Sequence, residues 1–175
     1  MAALRQARLI FERLLIAICL VLMVTLAVLV VAAVAWRWAG ASLTWYDEIA
    51  SILLAWITYY GAALAALRRA HLGFPNLVIA LPPAIRVPLL VVTEGLVMFF
   101  FALVAWFGWR AIDLLRGDHL ISLPWIGVEV VQSVIPIGAV LFIIAEALTV
   151  PERLREALAG RPAVEGEHAA LGPPR

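Results

Sequence analysis

Four long apolar segments, separated by short stretches that contain charged residues, dominate the sequence. The clearest one follows the acidic pair Asp47 and Glu48 and carries no charged residue from Ile49 to Leu67. A helix of about 19 residues is long enough to cross a hydrocarbon core roughly 30 Å thick. This segment is therefore predicted to be a membrane-spanning helix with an acidic, aromatic start and a basic exit at Arg68.

The same pattern recurs three more times and predicts an all-α integral membrane protein with four transmembrane helices. The spans are expected at about residues 14–36, 45–67, 88–110 and 128–150, within one domain over residues 1–159. The first span follows a basic start as a signal peptide would, but secretory apolar regions are only ~7–15 residues long, so we expect a retained anchor helix. Pro136 is predicted to kink or break the fourth span.

Prolines interrupt the apolar stretch between the second and third spans, at a spacing that argues against a continuous helix there. A short interfacial helix is expected over Leu77 to Leu81, capped by Asn76. Pro83 suits the first turn of a following helix, and Gly117 suits the end of the third long helix, which is expected to continue past the membrane. Residues 160–175, rich in Gly, Pro and Ala, are predicted to be a disordered tail.

The arginines predict an orientation with both termini in the cytoplasm, N-in/C-in. Cytoplasmic loops of membrane proteins carry an excess of basic residues. Three arginines fall on one side of the predicted topology and ten on the other: Arg37, Arg110 and Arg116 against Arg5, Arg8, Arg13, Arg68, Arg69, Arg86, Arg153, Arg155, Arg161 and Arg175. Six of the seven tryptophans lie at the predicted outer interface, where indole rings prefer to sit: Trp36, Trp38, Trp45, Trp106, Trp109 and Trp125.

Composition excludes several classes of protein. The chain is 65% hydrophobic and 14% charged, against about 25% charged for a soluble domain. Its net charge of +1 does not provide the dense basic face that nucleic acid binding requires. The three histidines, His71, His119 and His168, lie outside the predicted spans, which leaves no axial haem ligands and no base for an intramembrane serine nucleophile. We therefore expect no enzyme activity and no catalytic, cofactor or metal site in this chain.

Glu94 and Glu146 lie within the apolar runs of the third and fourth predicted spans, and acidic residues in such positions are the first candidates for function in a membrane protein. Both lie toward the cytoplasmic ends, so we expect ion pairs with Arg68, Arg69 or Arg86. A proton or cation site at either glutamate is the alternative.

On the outer side, Asp47 and Glu48 are expected near Arg37 and Arg110, where they would orient the second helix or contact a partner. One face of the second helix is small and polar, because the residues on it recur at helical spacing. Its members are Asp47, Ser51, Thr58, Ala62 and Ala65, with Gly61 beside them. Small faces let helices approach closely in lipid, so this stripe is expected to pack either within the bundle or on a larger subunit.

Several short motifs occur in a recognisable order along residues 10 to 150. The second helix has a Trp-x-acid-acid start and contains a tryptophan and a glycine; an Arg-x-x-His exit, a Leu-Pro-Pro segment, Ser-x-Pro-Trp and Pro-x-Gly follow. The residues concerned are Trp45, Asp47, Glu48, Trp56, Gly61, Arg68, His71, Leu81 to Pro83, Ser122, Pro124, Trp125, Pro136 and Gly138. In order and spacing they resemble the small membrane (Q-type, DctQ-like) subunit of tripartite ATP-independent periplasmic (TRAP) transporters.

The resemblance implies a multi-pass subunit of the bacterial inner membrane. It would accompany a large membrane subunit and a periplasmic solute-binding protein in sodium-driven uptake of organic acids, with the sodium and substrate sites on the large subunit. Asp47 stands where the family more often has glutamate, which keeps the charge. Two other functions stay open from the residues: a small self-contained homo-oligomeric carrier or channel using Glu94 or Glu146, and a membrane anchor for an electron-transfer enzyme.

Overall fold

The structure is a computed structural model that describes residues 2–41, 43–68 and 82–159. In these ranges the chain forms five helices and no strand. They are α1 (Ala2–Trp38), α2 (Tyr46–Leu67), α3 (Pro83–Leu114), α4 (Val128–Gln132) and α5 (Val134–Ala159). Four segments are long and apolar enough to cross a membrane: Gln6–Trp38, Tyr46–Leu67, Ile85–Leu114 and Val128–Arg155. The prediction of an all-α protein with four membrane-spanning helices is confirmed. The interfacial helix over residues 77–81 and the tail over residues 160–175 lie outside the described residues.

The third long helix, α3, begins at Pro83, the residue that the sequence predicted for its first turn. The closely spaced prolines between the second and third spans argued against a continuous helix there, yet α3 runs through Pro88 without a break. Pro83 supplies no N–H at a position where none would be bonded within the helix. Pro88 removes one hydrogen bond near the start of α3, which a long helix packed along one side tolerates.

The fourth span is broken where a proline predicted a disruption. Helix α4 ends at Gln132 and α5 begins at Val134, with Ser133 between them. Pro136 has no N–H for the carbonyl of Gln132, which lies four residues earlier. The Ser133 hydroxyl donates to the carbonyl of Val130 at 2.6 Å, so a side chain satisfies one carbonyl beside the break.

The helices pack in the order α1, α2, α5, α3. Helix α5 lies between α2 and α3 and is the most buried of the spans, whereas α1 and α3 occupy the two ends of the row. Arg8 near the start of α1 bonds to Leu67 at the end of α2 and to Glu152 near the end of α5. The described starts and ends of the chain therefore meet at one end of the bundle, which we call the terminal end.

The core joins small residues of α2 and α5 with larger ones from the outer helices. Ala63 and Ala66 of α2, Ala145 of α5 and Leu15 of α1 are fully buried. Phe142 of α5 stacks on Phe101 of α3 with ring centroids 3.6 Å apart. Alanines in the middle of the row let the backbones approach, and aromatic rings fill the space beside them.

A compact loop over residues 115–127 closes the opposite end, which we call the loop end. Gly117 has φ of 94°, a conformation that favours glycine, and so the chain turns just after α3 stops at Leu114. His119 and Gly127 form an isolated antiparallel bridge, and Val128 N–H donates to the carbonyl of Asp118 at 2.9 Å. These bonds bring the two ends of the loop together before α4 begins.

Candidate functional site

At the loop end, Glu48 holds the closing loop against the start of α2. Its two carboxylate oxygens accept hydrogen bonds from the backbone N–H groups of Ile121 at 3.2 Å and Ser122 at 2.9 Å. A carboxylate that accepts from two backbone donors fixes a loop more firmly than a neutral acceptor does. The sequence placed Glu48 near Arg37 and Arg110 at this end, with a role in orienting the second helix, and its carboxylate meets two amide donors of the loop.

Asp47, one residue earlier, is exposed at the surface of α2. Arg110, the other residue expected in this region, lies with its guanidinium 5.6 Å from the ring centroid of Trp106, a cation–π geometry. Trp45 is half-buried beside the start of α2, and Pro124 and Trp125 are exposed on the loop. Of these residues noted in the sequence, Glu48 is the one that joins the start of α2 to the loop at this end.

Trp56 joins α2 to α4. Its indole N–H donates to the carbonyl of Val131 at 3.2 Å, two residues before Ser133, where the fourth span breaks. The carbonyl of the next residue, Gln132, is the one that Pro136 leaves without its helical donor. Trp56 and Pro136, noted in the sequence as separate motif residues, therefore act on the same irregular stretch of backbone.

Gly138 marks a close approach between α2 and α5. A Cβ placed on Gly138 would lie 2.7 Å from Cβ of Tyr59, closer than two carbons can pack. Gly108 has a similar role between α3 and α5, since its Cβ would lie 3.0 Å from Cγ2 of Ile135. A Cβ placed on Gly61, by contrast, would have nothing within 4 Å. The glycines that matter for packing inside the described bundle are Gly138 and Gly108.

Three ion-pair groups tie the helices together at the terminal end. Arg8 of α1 pairs with Glu152 of α5 at 2.8 Å, and Arg68 after α2 pairs with Glu12 of α1 at 2.8 Å. These contacts are exposed or half-exposed, so each contributes little to stability by itself. His71, which the sequence grouped with Arg68, lies outside the described residues.

The third group is buried and joins α3 to α5. Nη1 of Arg153 contacts Oε1 of Glu94 at 2.5 Å and Oε1 of Glu146 at 2.6 Å. The expectation that Arg68 or Arg86 would pair with these glutamates is wrong for the described residues; Arg69 lies outside them. Arg153 lies two turns after Glu146 on the same helix face, so its long side chain reaches back along α5. The seven-residue spacing of Glu146 and Arg153 is the signal in the sequence that could have indicated this pair.

The small and polar stripe of α2 does not point into the bundle along its whole length. Asp47, Ser51 and Thr58 are exposed, whereas Ala62 and Ala65 are half-buried. The hydroxyls of Ser51 and Thr58 donate to the carbonyls four residues earlier on α2. Their hydrogen-bonding needs are therefore met within the helix. The part of the stripe around Ser51 and Thr58 is not covered by the described part of the chain, whereas Ala62 packs against the buried core.

Comparison with known families gives a match over most of the chain. The family described as "Tripartite ATP-independent periplasmic transporters, DctQ component" matches residues 26–156. This chain belongs to the DctQ family. The range includes α2, α3 and α4, most of α5, Glu48, Trp56, Gly138 and all three members of the buried ion cluster. A comparison with curated proteins finds no match.

Membership of the DctQ family confirms the resemblance seen in the motifs. A DctQ protein is a component of a transporter and not an enzyme, and it lies in the inner membrane. The four membrane-crossing helices agree with a multi-pass protein. In the described ranges no group of three or more His, Cys, Asp or Glu side chains is arranged to hold a metal ion.

Proposed function

We propose that this DctQ-family chain is the small scaffold subunit of a TRAP transporter. It would bind a large membrane permease subunit and work with a periplasmic solute-binding protein in sodium-driven uptake of organic acids. The observation that carries the proposal is the family match over residues 26–156. We place the coupling-ion and substrate sites on the large subunit, so this chain holds no cofactor of its own.

The arrangement of the helices supports a role in assembly. Helices α1 and α3 lie at the ends of the row, and many of their large apolar side chains are exposed. The stripe on α2 adds a third face, uncovered at Ser51 and Thr58 and half-covered at Ala65, on which small residues would let a partner helix approach closely. A row of helices with several open faces is suited to packing against a larger membrane protein. Our proposal assigns the α2 stripe, around Ala65 and Thr58, to that contact.

The acidic residues support a scaffold more than a carrier. In secondary transporters the coupling site lies near the membrane midplane, beside broken helices. Glu94 and Glu146 instead lie toward the terminal end and share the guanidinium of Arg153. The alternative, a small homo-oligomeric carrier or channel that uses Glu94 or Glu146, would require these carboxylates to exchange with solution.

Reconstitution tests the proposal directly. The chain, the permease encoded with it and the binding protein are placed in proteoliposomes, and uptake of an organic acid under a sodium gradient is measured. We expect uptake with all three proteins and none when this chain is omitted or present alone. Full uptake without the chain would contradict a required scaffold, and uptake by the chain alone would favour the carrier.

A matched pair of variants tests the contact face. Ala65→Leu places a larger side chain on the stripe, and overpacking of ~1–3 kcal/mol should reduce co-purification of the permease roughly fivefold or more. Ala17→Leu makes the same change at an exposed position of α1 and should leave co-purification unchanged. The reverse result would move the permease contact to α1.

A further inference from the structure

The buried cluster of Glu94, Glu146 and Arg153 has more acidic groups than basic ones. Glu146 is 2% exposed, and the side chain of Glu94 is 12% exposed. Both lie within the apolar spans. With both acids ionised, the cluster would carry a net negative charge on largely buried side chains, where water solvates it poorly.

Three other arginines toward the terminal end do not balance this charge. Arg8 pairs with Glu152 across α1 and α5, and Arg68 pairs with Glu12 across α2 and α1. Arg86 is on α3 two turns before Glu94 and is buried, but it makes no ion pair with either glutamate. Arg153 is the arginine that contacts both glutamates.

The cluster also lacks hydrogen-bond partners for two of its carboxylate oxygens. Each glutamate uses Oε1 to contact one nitrogen of Arg153, while Oε2 of each is buried without a partner. The two Oε1 atoms bind the same nitrogen and are therefore at most about 5 Å apart, where two carboxylates repel each other strongly in a medium of low polarity. Two carboxylates offer acceptors and no donor, so neither can supply a hydrogen bond to the other.

We infer that Glu94 and Glu146 hold one proton between them, so that a carboxylic acid and a carboxylate share Arg153. The proton converts the Oε2 atom of one glutamate into a hydrogen-bond donor, and the Oε2 atom of the other glutamate can accept from it. It also reduces the net charge of the cluster to zero. This subunit therefore contains a protonatable site at the α3–α5 contact, formed by two acids from different helices.

Infrared spectroscopy of the full-length protein in lipid nanodiscs, with co-purifying subunits retained, tests the inference. A protonated carboxyl group has a C=O stretching band that a carboxylate lacks, and the band shifts in D₂O. At pH 7.5 we expect such a band in the wild type and its complete loss in both Glu94→Gln and Glu146→Gln. Each glutamine supplies an N–H donor in place of the proton and leaves one carboxylate opposite Arg153, so these variants should fold.

Control variants separate this site from other carboxyl groups. Glu12→Gln and Glu152→Gln remove acids that each pair with an arginine of their own, and the band should persist in both. Arg153→Gln should raise the band about twofold, because both acids then remain protonated; if that variant does not fold, the glutamine variants still decide. A wild-type spectrum without the band, or a band that survives either Glu94→Gln or Glu146→Gln, would overturn the shared proton.

A bound metal cation could balance the same charge, and the ionic medium distinguishes the two. The spectra are recorded in sodium chloride and in choline chloride. The shared proton predicts the same band in both. A band that is absent in sodium and appears only in choline would show that a sodium ion occupies the pair, which would overturn the inference.

Discussion

Replacing Gly138 with alanine should weaken the bundle at one defined contact. The added Cβ would lie 2.7 Å from Cβ, 3.0 Å from Cδ1 and 3.2 Å from Cγ of Tyr59. Because Cβ of Tyr59 is fixed to the backbone of α2, rotation of the tyrosine ring cannot relieve the closest contact. Helices α2 and α5 must therefore move apart.

The magnitude follows from two opposing effects. Overpacking of a well-packed contact costs about 1–3 kcal/mol. Replacing glycine by alanine inside a helix returns about 0.5–1 kcal/mol, because the unfolded chain loses conformational freedom. We expect Gly138→Ala to lower the free energy of unfolding by about 1–2 kcal/mol. Gly61→Ala, which meets nothing within 4 Å, should be neutral or stabilising by up to about 1 kcal/mol.

Unfolding titrations in mixed micelles, with SDS as denaturant and tryptophan fluorescence as readout, compare the two variants under one condition. The prediction concerns the difference between them, so systematic effects of the micelle cancel. Equal stabilities for Gly138→Ala and Gly61→Ala would refute the close approach of α2 and α5. Reduced stability of Gly61→Ala alone would show that the stripe of α2 is covered within the isolated chain.

Three further predictions address the loop end and the topology. Glu48→Gln should speed hydrogen exchange of the Ile121 and Ser122 amides roughly fivefold to tenfold, because a charged acceptor of two hydrogen bonds becomes a neutral one. Asp47→Asn should leave this exchange unchanged. Exchange in Glu48→Gln as slow as in the wild type would contradict the contact. Trp56→Phe should lower the free energy of unfolding by about 0.5–1.5 kcal/mol, since the hydrogen bond from the indole N–H to the Val131 carbonyl is lost, and an unchanged SDS midpoint would count against this bond. In a Cys19→Ser background, cysteines replacing Ala41 or Asp118 should react with an impermeant thiol reagent from the periplasm, whereas those replacing Leu72 or Glu165 should not; the opposite labelling would reverse the orientation.

The helices that cross the membrane follow from the amino-acid sequence alone. Runs of apolar residues long enough to span the hydrocarbon core have one stable conformation there, because only a helix satisfies its own backbone hydrogen bonds. The disruption of the fourth span also followed from a local cause, since Pro136 lacks a donor wherever its helix packs. The ends of helices were less certain. Pro88 removes one backbone hydrogen bond near the start of α3, and the helix tolerates that loss. The spacing of the prolines therefore did not predict where the helix is interrupted.

The tertiary structure decided which residues meet. The order α1, α2, α5, α3 determines that Gly138, and not Gly61, takes the close contact with a neighbouring helix. The acids could be located along the spans from sequence, but their partner could not. Several arginines were available at the same membrane depth, and a side chain as long as that of arginine can reach many positions. Packing of α3 against α5 brings Glu94 and Glu146 to the same nitrogen of Arg153, because two helices must be in register before three side chains from them can share one site.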